Sequence, residues 1–308
     1  MRKRTKEKNT GKAVSVKAVR KGSKIFCGRL FFPLILIAVL LISSGYYLLS
    51  GRLEVTFQHL YSPKIRGADN IRIIVLSDLH NREFGPGNAD LTKQIAALSP
   101  DLIIMAGDMV NADDDNLDII LNLCGKLLET APVYYSPGNH ENNLMYEKGS
   151  PLESLLLEKG VHVLVNRAET VTVNRTPLLI GSLTTSTDGY YEYGAEFIDE
   201  YVKNDEFKLL ISHYPSLYYE MLADKEIDLG ICGHFHGGLV RLPLIGGLYH
   251  GDTGFLPKYS GGMYSLPHST IFVSRGMGDH SGFPRINNRP ELAVIDINSR
   301  QDTESSQP

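Results

Sequence analysis

The stretch Ile71-Arg-Ile-Ile-Val-Leu-Ser-Asp-Leu-His80 decides how the rest of the chain is read. Apart from Arg72, its first six residues are aliphatic, the composition of a strand buried on both faces. The run stops at Ser77 and then delivers Asp78 and His80, which an extended chain projects from one side. The same arrangement returns four times along the sequence. Leu102–Ala106 leads into Gly107-Asp108, Val133–Tyr135 into Gly138-Asn139-His140-Glu141, Leu209–Ile211 into Ser212-His213, and Leu229–Cys232 into Gly233-His234-Phe235-His236. Helical spacing is predicted over Asp90–Leu98, Leu117–Leu128, Pro151–Lys159 and Tyr214–Ala223. Further strands are predicted at Val161–Val165, Leu178–Ile180, Ile271–Val273 and Leu292–Ile297. Strands alternating with helices predict an α/β fold built as a layered sandwich. In such folds ligands gather beyond the carboxyl ends of strands, so five strand-end segments far apart in sequence can converge.

Their side chains suit two divalent cations. His80, His213, His234 and His236 offer imidazole nitrogens, and Asp78 and Asp108 offer carboxylates. A mixed nitrogen and oxygen set favours Mn, Fe, Zn, Co or Ni over a pure oxygen cage. The only cysteine near a motif is Cys232, so a thiolate zinc site is not expected. Each segment alone carries little weight: an Asp-x-His is commonly a surface pair and a Gly-Asp a turn. All five, each after a strand, are hard to obtain by chance. No P-loop, no GxGxxG after a strand and no HExxH occurs.

In chain order the segments D-x-H, G-D, G-N-H-E, H and G-H-x-H resemble the calcineurin-like metallophosphoesterase superfamily. The likeness covers roughly Ile71 to Ile297 and looks closest to the membrane-associated bacterial phosphodiesterase branch. Gly237–Pro243, Ser274–Gly278 and Asn288–Leu292 add to it. The resemblance implies an α/β-β/α sandwich. It places Asp78, His80 and His236 at one metal, Asn139, His213 and His234 at the other, and Asp108 between them. It makes His140 a group facing the substrate, either a general acid or a stabiliser of phosphate charge. The implied function is a dinuclear metal-dependent phosphoesterase, a phosphodiesterase rather than a monoesterase, using a metal-activated hydroxide and a histidine acid. Two other functions remain open: hydrolysis of a non-phosphate bond such as an amide, and a metal-binding module without catalysis at the membrane. Phe235 departs from the threonine common in the family and predicts a changed pocket wall. Arg275 and Arg289, and more weakly Arg82, could grip phosphate or serve as structural ion pairs.

Outside this region the composition changes. The whole chain is 43% hydrophobic and 21% charged, with a net charge of −4. Residues 1–50, however, hold eleven Lys and Arg against Glu7, a charge of +10, which leaves −14 on the other 258 residues. Three cysteines exclude a disulfide mini-protein. Cys124 and Cys232 are expected as buried thiols. From Leu30 to Gly51 no charge appears over 22 residues, longer than the apolar core of a cleaved signal. The predicted organisation is a basic cytoplasmic flank 1–29, a transmembrane helix 30–51 and a linker or first strand 52–70. A catalytic domain 71–298 and a polar tail 299–308 follow. The charge asymmetry predicts a single-pass membrane protein with its catalytic domain outside the cytoplasm. From that location lipid-linked or cell-wall phosphate esters are the expected substrates. No nucleic-acid surface and no protein partner are predicted. Asp113-Asp114-Asp115 reads as a solvated loop, and His162, His250, His268 and His280 lack motif support as ligands.

Overall fold

The computed structural model describes residues 33–40, 51–66, 70–279 and 284–299. The chain divides into two units, 1–49 and 50–308. In the first unit the described residues form a helix over 33–40 with every residue exposed. Among the described residues no helix is long and apolar enough to cross a membrane. This overturns the predicted single-pass membrane location, with its cytoplasmic N-terminus and external catalytic domain. The remainder of the predicted span (30–32 and 41–50), the flank 1–29 and residues 300–308 of the tail lie outside the described residues.

The second unit is built on two six-stranded sheets. The first contains β1 (Glu54–Tyr61), β2 (Ile71–Leu76), β3 (Leu102–Ala106), β4 (Val133–Ser136), β5 (His162–Val163) and β16 (Glu291–Asn298), in the order β1-β16-β2-β3-β4-β5. The second contains β6 (Arg167–Val173), β7 (Thr176–Ser182), β8 (Phe207–Ile211), β9 (Ile227–Cys232), β14 (Gly262–Ser265) and β15 (Ser269–Val273), in the order β14-β15-β9-β8-β7-β6. Strands β2 to β5 run parallel, as do β7, β8, β9 and β15. Two small hairpins, β10 (Arg241–Leu242) with β11 (Gly246–Gly247) and β12 (Tyr249–His250) with β13 (Gly254–Phe255), follow the last motif.

Residue alternation explains the layers. Ile71, Ile73 and Val75 of β2, and Leu102, Ile104 and Ala106 of β3, face Leu209, Ile211, Leu229 and Ile231 of the other sheet. Their sequence neighbours Ile74, Leu76, Ile103 and Met105 point the other way, onto Leu91, Ile95, Leu123 and Leu127 of the helices Ala89–Ala97 and Asp118–Leu128. The outer face of the second sheet meets the helices Ala195–Tyr201 and Pro215–Glu220 through Ile198, Tyr201, Leu217 and Tyr218. Both faces of each sheet are covered, which is why the strands read as apolar runs rather than as alternation.

The strands β2, β3, β4, β8 and β9 lie where the sequence predicts them. The expected strand Val161–Val165 shortens to β5, a sheet edge with two paired residues. The helix expected over Tyr214–Ala223 shortens to Pro215–Glu220, with Pro215 in the first turn, where a missing N–H costs nothing. Within 52–70, β1 pairs in parallel with β16 over its full length. Cys124 and Cys232 are buried free thiols.

Candidate metal centre

The five motifs converge because the strands that precede them lie side by side at one end of the two sheets. Hydrogen bonds between adjacent turns lock the convergence. Asp78 N–H donates to Gly107 O at 2.9 Å, His80 N–H to Asp108 O at 3.1 Å and Gly233 N–H to His213 O at 3.1 Å. The turns are tight and strained. Asp78, His80, Asp108, His234 and His236 all have φ between 48 and 70°, in the left-handed region. Non-glycine residues held there in a group mark a site over-determined by its surroundings. Gly107 (φ 83°) is required outright, because a Cβ there would lie 2.6 Å from His213 Nδ1 and 2.8 Å from Gly138.

Four overlapping groups of ligand-type atoms occur among the described residues. One adds His140 to His80 and Asp108, another adds His250 and Asp252 to His234, and two contain only predicted ligands. Asp78, His80 and His236 form one, with His80 Nε2 3.3 Å from His236 Nε2 and Asp78 Oδ1 3.5 Å from His236 Nε2. Asp108, His213 and His234 form the other, with His213 Nε2 3.0 Å from Asp108 Oδ2 and 3.3 Å from His234 Nδ1. Asp78 Oδ1 lies 3.9 Å from His213 Nε2, so the groups adjoin. Asn139 adds a buried Oδ1 with no hydrogen-bond partner in the protein. A buried amide oxygen left unpaired costs about 1–3 kcal/mol unless a cation takes it up.

The outward nitrogens decide which ring atoms face inward. His213 Nδ1 donates to Ala106 O at 2.8 Å, and His80 Nδ1 to Asn111 Oδ1 at 2.9 Å. His234 Nε2 donates to Asp252 Oδ2 at 2.6 Å. In the neutral rings His213 Nε2 and His234 Nδ1 are then both lone pairs, and Asp108 Oδ2 beside them is a third. Three acceptors facing one another with no proton between them fit a cation. The metal-free chain fills the gap with a proton. Burial would lower the His213 pKa, but Asp108 raises it to about 10. Burial would likewise raise the Asp108 carboxyl, yet His213 holds it well below the usual range. In the other group burial and a neighbouring imidazole lower His80 to about 3. Burial, with Arg285 adding to it and Asp78 opposing, lowers His236 to about 4. Both rings are neutral near pH 7. His80 presents an Nε2 lone pair, whereas His236, which accepts from Arg285 at Nδ1, carries its proton on Nε2 and has to shift it to ligate there.

One consequence is measurable. Below pH 10 a cation entering the Asp108–His213–His234 group must displace the His213 proton. Affinity should therefore rise with pH, up to about tenfold per unit for one proton, and level off above that value. Titration calorimetry at pH 7.5 in Hepes and in Tris, whose ionisation heats differ, should show about one proton released per chain. Equal heats in the two buffers would contradict this.

His140 lies at the mouth. Its ring is 4.7 Å from His80, edge to face, and Ala112 N–H donates to its Nδ1 at 2.9 Å. It borders a cleft of about 530 Å³ together with Asn142, Asn143, Tyr146 and Tyr214. Glu141, outside the predicted ligand set, is a fully buried anchor for backbone. Its Oε2 accepts from Asp108 N–H and Gly138 N–H, both at 2.8 Å. Its Oε1 accepts from Met109 N–H (2.6 Å), Val110 N–H (3.2 Å) and Tyr135 O–H (2.7 Å). Burial and the Asp108 charge push its pKa above the ordinary value.

Two of the three arginines resolve towards structure. Arg275 is held by Glu291 at 3.1 Å and Glu54 at 2.8 Å. Arg82 donates to Met277 O and Gly51 O and lies over the Phe84 ring. Arg289 is exposed. Phe235 is buried and packs at a tilt against His250, with ring centroids 4.6 Å apart, so it belongs to the packing around the ligands rather than to a pocket wall. Four contributors carry no motif signal: Asn111, Asp252, Ala106 through its carbonyl, and Arg285, whose Nη2 lies 3.3 Å from His236 Nδ1.

Comparison with known proteins agrees with this geometry. The calcineurin-like phosphoesterase profile matches residues 71–238. Phosphodiesterase YaeI of Escherichia coli K12 is 30% identical over 236 residues, spanning 73% of this chain and 82% of that protein. The uncharacterised metallophosphoesterase YkuE of Bacillus subtilis 168 is 26% identical over 261 residues, spanning 82% and 88%. These matches do not single out a membrane-associated branch. A match over more than half of the chain, beside a relative of this identity, shows that the chain belongs to the calcineurin-like phosphoesterase family.

Proposed function

We propose that this metal-dependent phosphoester hydrolase cleaves phosphodiesters to a monoester and an alcohol at a two-cation centre. The observation that carries the proposal is the cluster of His213 Nε2, Asp108 Oδ2 and His234 Nδ1, with His213 Nε2 3.0 Å and 3.3 Å from the other two, together with the unpartnered buried Asn139 Oδ1. Asp78, His80 and His236 would hold one ion, Asn139, His213 and His234 the other, and Asp108 would lie between them. The imidazole and carboxylate mixture suits Mn, Fe or Zn. Bound there, a pair of divalent ions polarises phosphoryl oxygens and lowers the pKa of a water. The relative named a phosphodiesterase favours a diester over a monoester.

The residues do the positioning. Glu141 and Asp78 fix the turns, so the ligands need no reorganisation when charge develops. His140 accepts from Ala112 N–H at Nδ1, which keeps its proton on Nε2. Giving up that proton would leave an imidazolate, so the ring serves better as a hydrogen-bond donor to developing phosphate charge than as a proton source. The neighbouring cleft, with Tyr146, Tyr214 and two asparagines, has room for one organic arm of the ester. The lipid-linked and cell-wall substrates expected from a membrane location lose their ground with that location.

The test is hydrolysis of bis(p-nitrophenyl) phosphate by metal-stripped and reloaded protein. Turnover should be absent after chelation, return with Mn²⁺, and exceed that on p-nitrophenyl phosphate. A folded chain inactive on both esters with every divalent ion tried would overturn the proposal.

A further inference from the structure

His234 faces two ways. Its Nδ1 lies 3.3 Å from His213 Nε2, inside the ligand cluster, while its Nε2 lies 2.6 Å from Asp252 Oδ2. A carboxylate only accepts, so Nε2 carries a proton and, in the neutral ring, Nδ1 holds the lone pair that faces the cluster. Asp252 sits in the turn between β12 and β13. Its backbone N–H donates to His250 Nδ1 at 3.2 Å, and the His250 ring packs edge-on against His234 at 5.2 Å. These contacts hold the carboxylate at His234 although its side chain is 62% exposed.

The partners of the other rings differ in charge. His213 is turned by the Ala106 carbonyl and His80 by the Asn111 amide, both neutral. His236 faces the Arg285 guanidinium. The proposed ligand sets are unequal as well. The first includes the carboxylate of Asp78, the second has the neutral amide of Asn139, and Asp108 is common to both. The outer charges run in the opposite sense, an anion behind the second position and a cation behind the first.

We infer that Asp252 is a positioning residue for the second cation, resting on the two-cation reading above. It fixes the tautomer and orientation of His234 and supplies the negative charge that the second ligand set lacks, so that the two positions hold divalent ions with similar strength. Asp252 falls in none of the five motifs.

The experiment is Mn²⁺ titration of the metal-free full chain by calorimetry, with the electron paramagnetic resonance signal of the coupled Mn pair read in parallel. The wild type should bind two ions in a narrow range of concentration. Asp252→Asn should weaken one of them about 10- to 100-fold and leave the other in place. The coupled-pair signal should then appear only at high Mn²⁺, while the melting temperature of the metal-free protein stays unchanged. Asp252→Glu should restore much of the lost affinity. Two unaltered binding steps in Asp252→Asn would overturn the inference. A third ion in the wild type that Asp252→Asn loses would also overturn it, because His234, His250 and Asp252 would then hold an ion of their own. A wild type that binds no ion would overturn the two-cation reading itself.

Discussion

Replacing His140 by alanine is expected to lower turnover on a phosphodiester by about 10²- to 10³-fold, with both divalent ions retained. The ring borders the cleft shared with Tyr146 and Tyr214, and its Nδ1 is engaged by Ala112 N–H, which puts the ring proton on Nε2. Loss of one preorganised donor aimed at developing charge has this size, about 2.7–4 kcal/mol in the barrier. The role as donor separates from the role as acid by the leaving group. A proton source matters most when a poor alkoxide departs and little when nitrophenolate departs. A donor to the phosphoryl oxygens matters for both, so the fall should be similar for alkyl and nitrophenyl diesters. A loss confined to alkyl diesters would make His140 the general acid. A variant without bound metal would make it a ligand.

The second large effect is on stability. Glu141→Ala should cost about 3–5 kcal/mol, because it removes the acceptor for four backbone N–H groups and the Tyr135 hydroxyl in a dry interior. For a domain of this size, at about 2–4 °C per kcal/mol, the melting temperature should fall by roughly 6–20 °C. Scanning calorimetry of the metal-free protein measures it. Glu141→Gln should recover little, since its amide NH₂ would face N–H donors. The turn freed by the change carries Asp108, so metal affinity should fall as well. An unchanged melting temperature in Glu141→Ala would show that other contacts anchor this turn.

What the sequence shows and what it hides follow from topology. β2, β3, β4, β8 and β9 are buried on both faces, so they stand out as aliphatic runs, and each ends where the sheet opens to the site. β1 does not stand out. It is a sheet edge of mixed residues, and its partner β16 lies more than 200 residues away. Asn111, Asp252 and Arg285 reach the cluster from loops whose path depends on sheet order, and no local spacing encodes that. Glu141 follows the motif histidine in sequence, and only its five donors reveal that it anchors the turn. The apolar run 30–51 satisfies hydropathy for a span, yet among the described residues no helix is long and apolar enough to cross a membrane.

The central claim is that side chains from five strand ends hold two cations in one site. Its most direct test is the number of divalent ions bound per chain at saturation, counted by inductively coupled plasma mass spectrometry after gel filtration in Mn²⁺. The predicted result is two ions in the wild type, falling to one or none in Asp108→Ala. A wild type that retains no ion, or an Asp108→Ala variant that retains two, would contradict it.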